Sequence, residues 1–147
     1  MKPSLNILLI EDDSIEIMKL NRAIASLKLE HHVTEAGNGE EALELLNTNT
    51  YLPDIILVDL NMPKMNGIEF LTILKNNDVL KYIPAIILTT SNNHTDIKEC
   101  FKIGIAGYIV KPLKYEEYLS KIKKVLTTEA QRAQRKSNIV YRRFKPD

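Results

Sequence analysis

The stretch Pro53-Asp54-Ile55-Ile56-Leu57-Val58-Asp59-Leu60-Asn61-Met62-Pro63 decides the fold of this chain. It places four consecutive aliphatic residues between prolines, which is typical of a short strand covered on both faces. Asp59 follows that run directly, and a carboxylate beside a buried strand is costly unless a cation or hydrogen-bond donor pairs with it. The stretch therefore predicts a partnered functional carboxylate or, as the simpler alternative, an aspartate that caps a turn before Pro63.

Four further short apolar runs alternate with helical patterns along the chain. The runs at 6–10, 32–36, 83–88 and 107–110 predict strands, and apolar residues at helical spacing predict a helix after every strand, the last two near 95–103 and 115–126. No hairpin turn joins two of these strands. This alternation predicts an α/β fold with a doubly wound parallel sheet of five strands and helices on both of its faces.

Polar residues follow the predicted strands at the points where the strands end. The residues concerned are Glu11, Asp12 and Asp13 after the first strand, Asp59 after the third, Thr89 after the fourth and Lys111 after the fifth. Ligands of open α/β sheets bind beyond the carboxyl ends of the strands, where these residues would meet. This coincidence favours the functional interpretation of Asp59 over the turn cap.

The chemistry of these side chains suits a cation and a phosphoryl group. If the first and third strands are neighbours, their ends lie about 4.8 Å apart, so Asp12 and Asp59 could share one Mg²⁺ ion, with the backbone carbonyl of Asn61 as a further ligand. Lys111 offers a positive charge and Thr89 a hydroxyl, which are the groups needed to hold the oxygens of a phosphoryl group on Asp59.

Four motifs in this order closely resemble the receiver domain of two-component response regulators: Ile10-Glu11-Asp12-Asp13, Leu57-Val58-Asp59-Leu60-Asn61-Met62-Pro63, Leu88-Thr89-Thr90-Ser91 and Tyr108-Ile109-Val110-Lys111-Pro112. The resemblance covers about residues 5–126. It implies a flavodoxin-like fold with strand order 2-1-3-4-5. It also implies that Asp59 accepts phosphate from a phosphohistidine of a sensor histidine kinase or phosphotransfer protein.

The resemblance also implies a role for each remaining site residue. Glu11 and Asp12 would form the acidic pocket, with Asp12 contacting Mg²⁺ directly and Glu11 through water. Thr89 and Tyr108 would be the coupled switch pair, and the signal would leave through the face around Tyr108. Lys111 would contact the phosphate, and a cis peptide is expected at Lys111-Pro112.

Composition and charge divide the chain into two parts. We predict a receiver domain at 1–126 with net charge −3 and a basic extension at 127–147 with net charge +4. Asp13 falls outside the acidic pair of the family and is left out of the predicted site. A helix cap at Ser14 and a core position for the single cysteine, Cys100, complete the predictions for the body.

The extension is too short to be a DNA-binding output domain, so a stand-alone receiver is expected. Together with the motif at 88–91, it is similar to the extension of small regulators that serve phytochrome-type kinases. Its apolar cluster, Ile139-Val140-Tyr141 with Phe144, predicts docking on its own domain or on a second copy, as in a homodimer. No signal segment or membrane-length apolar run is present, so a cytoplasmic protein without membrane contact is expected.

Two other function classes compete with the receiver interpretation. Mg²⁺-dependent phosphatases also use an aspartate nucleophile on an α/β sheet, but they typically carry a second aspartate two residues later, where this chain has Asn61. We therefore predict no enzyme beyond Mg²⁺-dependent self-phosphorylation and autodephosphorylation at Asp59. A nucleic-acid or anionic-membrane module acting through the basic extension is the second alternative, and we predict no nucleic-acid partner.

Overall fold

The computed structural model describes residues 4–27, 30–48 and 50–144, with 134 and 136–144 described by their backbone alone. The strands are β1 (Ser4–Ile10), β2 (Glu30–Ala36), β3 (Ile55–Val58), β4 (Ala85–Thr89) and β5 (Gly107–Val110). The helices are α1 (Ser14–Ala25), α2 (Gly39–Leu46), α3 (Gly67–Lys75), α4 (His94–Ile103) and α5 (Tyr115–Phe144). A short 3-10 turn, Leu80–Tyr82, precedes β4.

The strands form one parallel sheet of five strands in the order β2-β1-β3-β4-β5. This confirms the predicted flavodoxin-like α/β fold and its strand order. β1 and β3 are direct neighbours with Ile10 opposite Val58, so the two strands end at the same level. The residues that follow them therefore emerge side by side.

Strand β3 is buried on both faces because its side chains alternate between two core clusters. Ile56 and Val58 pack in the cluster that α2, α3 and α4 cover, and Ile55 and Leu57 pack in the cluster that α1 and α5 cover. Each aliphatic side chain removed from water in this way contributes about 1.5–3 kcal/mol. The continuous apolar run thus fixes a central strand, as predicted.

Helix α5 runs much farther than the sequence pattern indicated. The predicted end near Leu126 is wrong, because α5 has 30 residues and continues to Phe144 without a break. Good helix formers fill positions 129–135, and Ala130 is 2% exposed within the core cluster of α1 and α5. The division into a receiver at 1–126 and an extension at 127–147 stays a prediction.

The predicted docking of the apolar cluster concerns side chains at 139–144, which lie outside the described side chains. The described side chains of the extension end at Arg135, and those of Ala130 and Ala133 pack in the core cluster of α1 and α5. Among the described residues, no helix is both long enough and apolar enough to cross a membrane.

Candidate functional site

The carboxyl ends of β1 and β3 bring two acids to one edge of the sheet. The backbone N–H of Asp59 donates to the carbonyl of Ile10 at 3.1 Å, and the N–H of Glu11 donates to the carbonyl of Ala36 at 3.0 Å. The backbone is thus still held by the neighbouring strand at both acids. Their side chains start from fixed positions rather than from free loops.

Three carboxylates meet at this edge. One oxygen from each of Glu11, Asp12 and Asp59 lies within 4.8 Å of the others. Glu11 is buried, Asp59 is half-buried and Asp12 is exposed, so a cation can reach the cluster from solvent. A group with oxygen donors only, open on one side to water, fits Mg²⁺, which keeps several of its own waters.

Lys111 closes the inner side of the acidic cluster. Its Nζ donates to Glu11 Oε1 at 2.8 Å and lies 3.3 Å from Glu16 Oε2, and its side chain is only 6% exposed. The strand end fixes its backbone, since its N–H donates to the carbonyl of Thr89 at 2.7 Å. Burial opposes the charge of Lys111, but the hydrogen bond to Glu11 and the charges of Glu11, Asp59 and Glu16 outweigh it and raise its pKa.

Burial and the neighbouring Lys111 act in opposite directions on the pKa of Glu11. Burial raises its pKa to about 7, against the lowering effect of the Lys111 hydrogen bond and charge, and the charge of Asp59 adds to the rise. Its second oxygen, Oε2, accepts from the backbone N–H of Asp12 at 3.1 Å. Both oxygens of Glu11 are therefore engaged by the protein, which suits contact with a cation through water.

The loop after β3 holds Asp59 in place. The N–H of Asn61 lies 3.4 Å from Asp59 Oδ1, and the N–H of Gly67 donates to the carbonyl of Leu60 at 3.0 Å. A Cβ atom at Gly67 would lie 2.5 Å from the carbonyl oxygen of Asp59. The start of α3 thus packs on the backbone of Asp59.

Thr89 and Tyr108 come together through Ser91. Thr89 is fully buried, and its Oγ1 lies 3.4 Å from the N–H of Ser91, which donates to it. The hydroxyl of half-buried Tyr108 donates to the carbonyl of Ser91 at 2.8 Å. The predicted switch residues therefore bind the same loop residue, while their switching role stays a prediction.

Two local predictions are wrong. Asp13, not Ser14, caps α1, because its Oδ1 accepts from the N–H of Ile15 at 2.9 Å. Across residues 4–27, 30–48 and 50–144 no peptide bond is cis, so Lys111-Pro112 is trans. A prolyl peptide differs in energy between its two isomers by only about 0.5–1 kcal/mol, so a small local difference is enough to select trans.

Glu16 is a site neighbour that motif reading missed. It belongs to the first turn of α1, and that turn starts beside the acidic cluster, so its carboxylate reaches Lys111. The signal that could have found it is its position five residues after Glu11, in a helix that begins at the carboxyl edge of the sheet.

Comparisons with known proteins point to one family. The family model described as response regulator receiver domain matches residues 7–123. Chemotaxis protein CheY1 of Helicobacter pylori is 32% identical over 121 residues, which cover 82% of this chain and 97% of that protein.

Two solved structures share the fold. The phosphorylated cyanobacterial phytochrome response regulator RcpA matches with a TM-score of 0.78 and 32% identity, covering 83% of this chain and 91% of its own. The Mn²⁺-bound form of response regulator Rcp1 matches with a TM-score of 0.77 and 28% identity, covering 82% and 91%. Receiver domains bind Mg²⁺ or Mn²⁺ at an acidic pocket and act as phosphoaccepting signalling switches. The chain belongs to the response regulator receiver domain family of two-component signalling.

Proposed function

We propose that this chain is the phosphoacceptor switch of a two-component phosphorelay and that Asp59 receives the phosphoryl group. One observation carries the proposal: the carboxylate of Asp59 stands with Glu11 and Asp12 in one cluster, and Lys111 lies buried behind it. Acids that could hold a cation and an ammonium group that could hold phosphoryl oxygens thus flank the half-buried carboxylate of Asp59.

The reaction is a transfer between a nitrogen and an oxygen. An oxygen of Asp59 attacks the phosphorus of a phosphohistidine, the phosphorus–nitrogen bond breaks, and its electron pair stays on the imidazole. Lys111 and the hydroxyl of Thr89 hold the phosphoryl oxygens. Asp12, Asp59 and the backbone carbonyl of Asn61 would hold Mg²⁺, with Glu11 contacting it through water, and the bound ion would supply positive charge between two anionic groups. Attack by water on the phosphorus later breaks its bond to the Asp59 oxygen, which leaves with the electron pair, and returns the carboxylate and free phosphate.

No external substrate is turned over in this scheme. Asn61 stands where Mg²⁺-dependent phosphatases place a second aspartate, and an amide is a poor proton donor. The chain therefore catalyses its own phosphorylation and dephosphorylation only.

The partner is the histidine-bearing domain of a sensor histidine kinase or of a phosphotransfer protein. Three large apolar side chains lie exposed on the segments that flank the site: Ile15 and Met18 on α1, and Leu113 just after Lys111, with exposures of 72%, 66% and 103%. Glu16 and Lys111 bring those two segments within 3.3 Å of each other. Such a patch beside the acceptor suits a helical partner that must bring its histidine to Asp59.

The names of the similar structures favour a kinase of the phytochrome class. RcpA is a phytochrome response regulator, and its match covers 83% of this chain. We propose that output passes through the face around Tyr108. We also propose that the basic extension at 127–147, whose first part continues α5, pairs two copies in a homodimer. The protein acts in the cytoplasm, without nucleic acid or membrane as a partner.

Phosphorylation by a small donor tests the function. The protein is incubated with acetyl phosphate and Mg²⁺, and intact mass is measured; one phosphoryl group is expected in the wild type and none in Asp59→Asn or with excess chelator. Asp13→Asn is the matched control, because asparagine caps a helix as well as aspartate and this variant should label like the wild type. Labelling of Asp59→Asn, or labelling indifferent to chelator, contradicts the proposal.

A further inference from the structure

Lys111 has two carboxylate partners, and only one of them belongs to the acidic cluster. Its Nζ lies 2.8 Å from Glu11 Oε1 and 3.3 Å from Glu16 Oε2. Among the ion pairs of the described residues, Lys111 has none with Asp59, the proposed acceptor. In this structure the ammonium group is therefore held on the α1 side of the site.

The surroundings of Glu16 favour its ion pair with Lys111. Its Oε2 atom is shielded from solvent and accepts no hydrogen bond within the described part of the chain. The nearby hydroxyl of Tyr118 is also buried without a hydrogen-bond partner there, and Lys19 sits 4.6 Å from the centroid of the Tyr118 ring. If Lys111 moved away, a shielded carboxylate would lose its ion-pair partner, which is costly.

We infer that Glu16 is a positioning residue that retains Lys111 in the unphosphorylated protein and competes with the phosphoryl oxygens for its ammonium group. The inference rests on the proposed function. Glu11 is one of the three acids assigned to the cation, whereas Glu16 is not. Glu16 thus keeps its hold on Lys111 when the acidic cluster is occupied, and it sets how readily Lys111 reaches the group on Asp59.

Beryllium fluoride with Mg²⁺ serves as the probe, because it mimics a phosphoryl group on a carboxylate without covalent turnover. We expect Glu16→Gln to bind it about three- to tenfold more tightly than the wild type, the range set by loss of one partly shielded ion pair. Affinities are measured by NMR titration of the ¹⁵N-labelled protein. Glu44→Gln, which removes an exposed carboxylate of α2, is the matched control and should bind like the wild type.

The same substitution in the Lys111→Ala variant distinguishes loss of the Lys111–Glu16 ion pair from a general effect of removing one negative charge. In Lys111→Ala the substitution Glu16→Gln should leave the affinity unchanged, since the residue through which it acts is gone. An equal gain in both backgrounds overturns the inference, and so does an unchanged or weaker affinity of Glu16→Gln alone. Thermal unfolding of each variant checks that it is folded. If the wild type does not bind the probe, the proposed function itself is contradicted. If the wild type binds and Glu16→Gln does not bind more tightly, only the inference about Glu16 is contradicted.

Discussion

The hydroxyl of Tyr108 donates a 2.8 Å hydrogen bond to the backbone carbonyl of Ser91, whose own N–H points to Oγ1 of Thr89 at 3.4 Å. Thr89 and Tyr108 therefore hold one loop residue from two sides. Thr89 ends β4 and Tyr108 lies on β5, the neighbouring strand. A displacement of Thr89 toward a phosphoryl group on Asp59 would disturb the residue to which Tyr108 is bonded, which links the acceptor to the outer surface of the sheet.

Thr89→Ala should still accept phosphate yet lose the response of the surface around Tyr108. The hydroxyl supplies the contact that differs between the two states, while Asp59 and Lys111 remain. NMR spectra with and without beryllium fluoride and Mg²⁺ measure the shifts on α4, β5 and α5. Thr89→Ser keeps the hydroxyl and is the control. Equal shifts in Thr89→Ala and the wild type would contradict the proposed coupling through Thr89.

Tyr108→Phe should weaken the attachment of the loop at Ser91 without changing phosphorylation of Asp59. It removes one hydrogen bond to a backbone carbonyl, so we expect a loss of about 1 kcal/mol in the free energy of unfolding, measured with urea. Labelling of Asp59 by acetyl phosphate should proceed as in the wild type. If the variant failed to label, Tyr108 would have to act on the acceptor itself.

Gly67→Ala should displace the backbone of Asp59 and Leu60 and so disturb the position of the Asp59 carboxylate. The new Cβ would lie 2.5 Å from the carbonyl oxygen of Asp59 and 2.8 Å from Leu60 Cα, and both are backbone atoms that cannot turn aside. We expect at least about 2 kcal/mol of destabilisation and slower labelling of Asp59.

Gly37→Ala is the matched control for this backbone contact. Its new Cβ would meet the flexible Glu41 side chain at 3.1 Å, which can move. A Gly67→Ala variant with the stability and labelling rate of Gly37→Ala would show that the approach of α3 to Asp59 is not needed.

The sequence predicted the central strand and the strand-end residues because both follow from burial. Four aliphatic residues in a row can be satisfied only between two helical layers, and β3 has the predicted bounds, Ile55–Val58. Parallel strands then carry the polar residues that follow them to one edge, where Glu11, Asp12 and Asp59 meet.

The contacts that were missed depend on packing between elements. Glu16 reaches Lys111, and Gly67 abuts Asp59, only once α1 and α3 are placed against the sheet. The length of α5 was missed for a related reason. After Leu126 the side chains that α5 packs in the core are alanines rather than large apolar residues, so the sequence pattern did not indicate a buried face. In the structure Ala130 nevertheless lies in the core cluster of α1 and α5.

Cys100 should react slowly with thiol reagents in the folded protein. Burial, with the charges of Asp96 and Glu99, raises its pKa from 9.0 to about 11, so about one thousandth is thiolate at pH 8. The folded state holds this proton more tightly than the unfolded state, so the stability that Cys100 contributes falls as the pH rises from 9 to 11. Reaction with a chromogenic disulfide, with and without urea, measures this. Equal rates would place the thiol at the surface.

The packing of α5 predicts that shortening the chain at two points will have different effects. A chain ending at Leu126 loses Ala130, which is 2% exposed, and Glu129, which is 6% exposed. We expect it to lose about 2 kcal/mol of stability, because this turn covers the core cluster of α1 and α5. A chain ending at Arg135 keeps those contacts and should unfold like the full chain in urea.

The chain ending at Arg135 is therefore the better probe of assembly, because it removes the apolar cluster at 139–144 and keeps the buried residues Glu129 and Ala130. If the extension pairs two copies, light scattering should give a dimer mass for the full chain and a monomer mass for the shortened one. The change would follow from the loss of four hydrophobic residues within six positions rather than from loss of fold. Equal masses for the two folded chains would remove residues 136–147 from any role in assembly.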